Sequence, residues 1–131
     1  MRTRRQKGFT LLEMTMVLLV LLVLISIATF SSKWVITWRA GSLASETLRT
    51  VYMAQRSYLA DNPTAQVANL TQAMLLPYLP NSPTVFPTVT SLTKTTLTIK
   101  VNVSPPYAVD SSGARYDPSG GTTDSLWDVG E

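Results

Sequence analysis

From Phe9 to Phe30 the chain reads FTLLEMTMVLLVLLVLISIATF, 22 residues whose only polar side chains are Thr10, Glu13, Thr15, Ser26 and Thr29. Backbone N–H and C=O groups amid that much apolar surface must be paired within the segment, and a helix is how a single stretch does so. At 1.5 Å per residue the helix is about 33 Å long, and the hydrocarbon core of a bilayer is about 30 Å thick. The run therefore suits a membrane span. Arg2, Arg4, Arg5 and Lys7 precede it without an intervening acid. Basic residues on one flank of a span place that flank on the cytoplasmic side.

Those four residues also account for the net charge of +3: all eight acidic side chains lie beyond them, and the rest of the chain is slightly acidic. A broad cationic surface for nucleic acid is not indicated. Cysteine and histidine are both missing, so there is no disulfide framework, no thiolate, and none of the commonest general base. No nucleophile and base pair up in the pattern, and an enzyme is not expected. The apolar run is longer than a secretory signal's core, and Ser26 to Ala28 is only a weak small-residue cleavage site, so the segment reads first as an uncleaved anchor.

Glu13 does not fit a plain anchor. A carboxylate inside a span costs energy unless it reaches water or a cation. Phe9 is one helical turn before Glu13 on the same face. If the chain were cut after Gly8, the new α-ammonium of Phe9, or that of a neighbouring chain, would supply the counter-ion. Lys7-Gly8-Phe9-Thr10-Leu11-Leu12-Glu13, with its short basic leader, glycine, phenylalanine and following apolar helix, resembles the N-terminal signal of the type IV pilin and type II secretion pseudopilin family. The resemblance covers about the first 30 residues strongly and the next 30 in pattern. It implies that a prepilin peptidase cuts between Gly8 and Phe9 and methylates the Phe9 amine. It also implies that Glu13 helps dock the subunit onto a growing filament. Many major pilins and pseudopilins carry a proline at the position occupied here by Phe30, and the first proline of this chain is Pro63. That departure predicts a more continuous helix and argues against a major pilin.

After the span the pattern turns amphipathic. Trp34, Trp38, Leu48, Tyr52 and Leu59 keep near one helical face, with Gly41, Ser45 and Gln55 filling the stripe. One helix is expected from about Phe9 to Ala60, about 78 Å long, ended by Asp61-Asn62-Pro63. Trp34 and Trp38, beside Lys33 and Arg39, suit an interfacial belt or packing against the head or neighbouring subunits.

All eight prolines follow residue 60, so the head is rich in turns. Asn69 and Gln72 suggest a capping box for a short helix, Leu70 to Leu76, stopped by Pro77. Thr95 to Val103 alternates as a strand, with Leu97, Ile99, Val101 and Val103 on one side. Tyr107 to Val109 and Ala114 to Tyr116 flank Asp110-Ser-Ser-Gly113, a hairpin turn. The C-terminal YDPSGGTTDSLWDVGE reads as loop. Its Asp117, Asp124 and Asp128 are hard oxygen ligands that glycine-rich turns can gather around calcium. Such a site occurs in some members of the resembled family, but acidic tails are usually just solvated.

The expected fold class is α+β, a long N-terminal helix on a small antiparallel sheet. The expected organisation is a leader at 1–8, removed; a transmembrane and filament-core helix at 9–30; an amphipathic helix at 31–60; and a loop-rich head at 61–131. The resemblance implies a structural subunit of a pilus or secretion pseudopilus, in the bacterial inner membrane before assembly. Its N-terminus is cytoplasmic and its head periplasmic or extracellular. Its partners are the prepilin peptidase, copies of itself and other pilin-like subunits, the inner-membrane assembly platform and the membrane. The alternative is an uncleaved, single-pass envelope binding module.

Overall fold

The computed structural model describes residues 8–130; Arg2, Arg4, Arg5 and Lys7 lie outside them. The chain divides into two compact units, the segment up to Ile36 and the segment from Thr37 onward. The long helix, α1, runs Leu11–Asp61. It starts two residues later than the apolar pattern predicts because Thr10 caps it, and Asn62 and Pro63 follow its end.

In the first unit, α1 is exposed from Leu11 to Trp34. Its hydroxyls turn back onto the helix: Thr15 Oγ1 donates to Leu12 O at 2.9 Å, Ser26 Oγ to Leu22 O at 2.8 Å and Ser32 Oγ to Ala28 O at 2.9 Å. Such bonding satisfies a polar group in apolar surroundings without a partner from elsewhere. Among the described residues α1 is the one helix long and apolar enough to cross a membrane.

The second unit is α+β. A 3₁₀ turn at Val67–Asn69 leads to α2, Gln72–Leu75, and a second 3₁₀ turn, Leu76–Tyr78, carries the chain through Pro77. The expected Asn69–Gln72 capping box does not form. Thr71 is the N-cap of α2, without a side-chain bond. Gln72 Nε2 instead donates to Ile99 O at 3.0 Å, a tertiary partner that outcompetes the local one.

Three antiparallel strands follow, β1 (Val89–Thr90), β2 (Thr96–Lys100) and β3 (Tyr107–Val109), in the order β1-β2-β3. Val89 pairs with Leu97, and Ile99 with Ala108. The alternating run expected to Val103 leaves the ladder after Lys100. Beyond it, Gln55 Nε2 donates to the Val101 and Val103 carbonyls at 2.9 and 2.8 Å. The Asp110 turn forms as expected, with Gly113 N–H on Asp110 O at 3.0 Å. Arg115 makes only an isolated bridge to Val109.

The core joins Ala44, Leu48, Val51 and Ala54 of α1 to Leu75, Leu79, Phe86, the sheet residues Leu97, Ile99 and Ala108, and Trp127 and Val129. The buried face of α1 is Gly41, Ala44, Ser45, Leu48, Val51, Ala54 and Gln55. This shifts the expected stripe: Trp34 and Trp38 stand outside it, 67% and 49% exposed, because the sheet and C-terminal segment cover only the small-residue side. The C-terminus, expected as solvated loop, closes the core. Arg49 Nε donates to Val129 O at 2.6 Å and Arg49 Nη2 to Ser125 Oγ at 2.6 Å. Trp127 N–H donates to Gly41 O at 3.2 Å.

Gly41 permits that approach. A Cβ there would stand 2.9 Å from Trp127 Nε1 and 3.2 Å from Leu126 Cβ. Gly→Ala inside a helix normally stabilises by about 1 kcal/mol. Gly41→Ala is expected instead to destabilise, by about 1–3 kcal/mol through overpacking. Leu48→Ala, at a fully buried position, is expected to cost about 2–5 kcal/mol. Denaturant titration of the detergent-solubilised chain checks both, and a more stable Gly41→Ala would contradict the close packing of Trp127.

Candidate functional site: the N-terminal junction

The start of the described chain, up to the first turn of α1, is built from Gly8, Phe9, Thr10 and Glu13. Gly8, Phe9 and Thr10 are exposed and non-helical, and α1 begins at Leu11. Phe9 is 81% exposed, and a Cβ placed on Gly8 would meet nothing within 4 Å. The Gly8–Phe9 bond is therefore in an accessible, non-helical stretch, free to enter a peptidase cleft.

Glu13 has a local role that the search for a counter-ion overlooked. Glu13 N–H donates to Thr10 Oγ1 at 3.2 Å, and Thr10 N–H donates to Glu13 Oε2 at 3.4 Å. Met14 N–H closes the first helical bond on Thr10 O at 3.2 Å. This is a reciprocal capping box, two otherwise orphan donors satisfied by two side chains. The carboxylate is also at the positive end of the helix dipole. The signal was present in the sequence as Thr10-Leu-Leu-Glu13. The box turns the carboxylate back toward Thr10, so an amine on Phe9 would be one residue further back along the chain.

The three C-terminal aspartates go to separate partners. Asp117 pairs with Arg115 at 3.3 Å and accepts Ser119 Oγ at 2.6 Å. Asp124 Oδ1 accepts Leu126 N–H at 3.0 Å. Asp128, 3% exposed, receives Ser125 and Gly130 N–H on Oδ1 at 3.1 and 2.6 Å, while its Oδ2 is buried without a hydrogen-bond partner. Among the described residues no three acidic side chains come together in a group able to hold a metal ion. Burial pushes the Asp128 carboxyl above the usual carboxylate range, and Asp124 adds to the rise against the pull of the Gly130 and Ser125 N–H groups. Asp110 goes the other way: Ser112 Oγ and the turn's N–H groups hold it below that range.

Two of the three head cations meet an aromatic ring. Lys100 Nζ is 5.9 Å and Arg115 Cζ 5.4 Å from the centroid of Tyr107. Arg115 is already engaged by Asp117, so the cluster offers little net charge for a polyanion.

Residues 3–29 match the prokaryotic N-terminal methylation motif, the signature of type IV pilins and pseudopilins. Comparison with curated proteins and with solved structures finds no match. The motif fits a membrane-anchored structural subunit that is a substrate of prepilin peptidase. The match ends within α1, so the head is described by its own residues alone.

Thr10→Ala removes the cap and is expected to destabilise the first turn by about 0.5–2 kcal/mol, read as faster amide exchange at Glu13 and Met14. Glu13→Gln keeps the box, because glutamine serves at that position too, and is expected to leave exchange there nearly unchanged. The aspartates have opposite signs in a pH titration of stability. A raised carboxyl such as Asp128 keeps its proton longer when folded, so stability falls as pH rises from the unfolded value through the folded one. Asp128→Asn should raise stability at neutral pH and remove that fall. A depressed carboxyl such as Asp110 contributes above the unfolded value, and the contribution is lost as pH falls through the folded one. Asp110→Asn should remove that acid-side loss. Melting curves between pH 3 and pH 7 check both signs.

Proposed function

We propose that this chain is a pilin-like filament subunit, cut between Gly8 and Phe9 by a prepilin peptidase and assembled through α1. The observation that carries the reading is the junction: an exposed, non-helical Gly8–Phe9 bond just before a capped helix whose apolar stretch, as far as Phe30, has its one acid at the cap. The helix holds the subunit in the inner membrane with its N-terminus cytoplasmic, and on assembly the same apolar surface packs against other subunits. The charge of Glu13 pairs with the methylated amine of Phe9, its own or a neighbour's. Partners are the peptidase, other copies and related subunits, and the inner-membrane platform.

A type II secretion pseudopilus is the filament favoured, by Phe30 where many major subunits have proline and by the small, cysteine-free head. A DNA-uptake filament is disfavoured, because beyond α1 the head carries only Lys94, Lys100 and Arg115 and its one ring-stacked pair is partly neutralised. Among the described residues of the head, no three acidic side chains gather into a group that would favour calcium.

Mass spectrometry of the N-terminal peptide from native cells is the test. A chain beginning at methylated Phe9 is expected. A chain beginning at Met1 or Arg2 in cells with active peptidase makes the protein an uncleaved anchored module. Gly8→Leu is expected to abolish processing. Since a side chain at Gly8 clashes with nothing in the subunit, that loss would arise in the peptidase cleft. Glu13→Gln should leave membrane insertion intact and lower the yield of filaments, an effect of charge because capping is retained.

A further inference from the structure

Two large aromatics on α1 lie outside the protein core. Phe30 is 81% and Trp34 67% exposed, and with Ser26, Ile27 and Ser31 they line an open notch of about 470 Å³. Ser26 Oγ is already bonded to Leu22 O, so its hydroxyl asks little of an occupant. The notch is an apolar surface with an indole N–H at its end. Exposed apolar surface of this kind marks a contact with something.

Position on the helix identifies that something. Glu13 and Trp34 are 21 residues apart on α1, which at 1.5 Å per residue is about 32 Å. The hydrocarbon core is about 30 Å thick. With the Glu13 carboxylate at the cytoplasmic boundary, Trp34 falls at the opposite one. Indole favours that boundary, with its ring among upper acyl chains and its N–H toward the esters and water. Lys33, adjacent in sequence, brings a cation suited to a lipid phosphate, its methylene stem lying along apolar surface.

We propose that the Phe30–Trp34 notch takes the glycerol region and upper acyl chain of an outer-leaflet phospholipid, so that Trp34 sets the depth at which the unassembled subunit is held. The proposal rests on the membrane-span part of the function proposed above and does not depend on cleavage. For Trp34 it favours the interface over the other contacts that the sequence left open, packing against the head or against neighbouring subunits.

The test places the full chain at low protein-to-lipid ratio in vesicles of phosphatidylethanolamine and phosphatidylglycerol. One set carries bromine high on the acyl chains and another near the bilayer centre, and bromine quenches a tryptophan it touches. Trp34 is one of three tryptophans, so the emission lost in Trp34→Phe isolates its signal, at an exposed site where phenylalanine leaves the fold intact. The expected result is that the high bromine removes more than half of this signal and the central bromine removes much less. Quenching by neither, in vesicles that float with the protein, would overturn the proposal and leave protein, a second copy or the head, as the cover. Stronger quenching by the central bromine would overturn it as well. A chain that does not float with the vesicles would overturn the membrane span and this proposal together, whereas floating without quenching overturns this proposal alone.

Discussion

Backbone groups without access to water must find their partners close by, and this governs the N-terminal half of the protein. From Leu11 the apolar side chains leave the helix as the one conformation that pairs every N–H and C=O from within. What the helix cannot pair is its first turn. Thr10 and Glu13 supply the two missing acceptors there, and Thr15, Ser26 and Ser32 return their hydroxyls to helix carbonyls. The start of α1 at Leu11 leaves the preceding Gly8–Phe9 bond outside the helix and exposed. The proposed cleavage junction would thus be a consequence of where the helix can be capped.

In the proposed reading Glu13 carries two roles that charge alone would conflate. As a cap it needs only an acceptor oxygen; as a docking group it needs a negative charge. The first is visible in the subunit, and the second appears only when an amine is generated on Phe9 or brought by another chain. A carboxylate held by Thr10 at the helix end is oriented in advance, so pairing does not have to order a free side chain at the same time.

The head solves a different problem, a small core with little chain to build it. Its sheet is short, and its ladder stops at Lys100. Side chains from the helices bond carbonyls near and beyond its end: Gln72 donates to Ile99 within the strand, and Gln55 to Val101 and Val103 after it. The C-terminal segment supplies Trp127 and Val129 to the core and is held by Arg49 and by the missing side chain of Gly41. These are long-range contacts between groups that show no period in sequence, and they give irregular backbone a fixed place.

The sequence alone was enough to determine the long helix, most of the strand expected over 95–103, and the Asp110 turn. Each is local: hydrophobic period, turn chemistry and cap residues act within a few positions. Tertiary structure decided the rest. It placed the buried face of α1 on Gly41, Ala44, Leu48 and Val51 and left Trp34 outside it. It spent Gln72 on the sheet instead of a cap. It drew a glycine-rich tail that reads as solvated loop into the core through Trp127, and it gave Asp117, Asp124 and Asp128 separate partners. Those outcomes depend on which surfaces meet, and a side chain's burial is a property of what covers it, which no local pattern encodes.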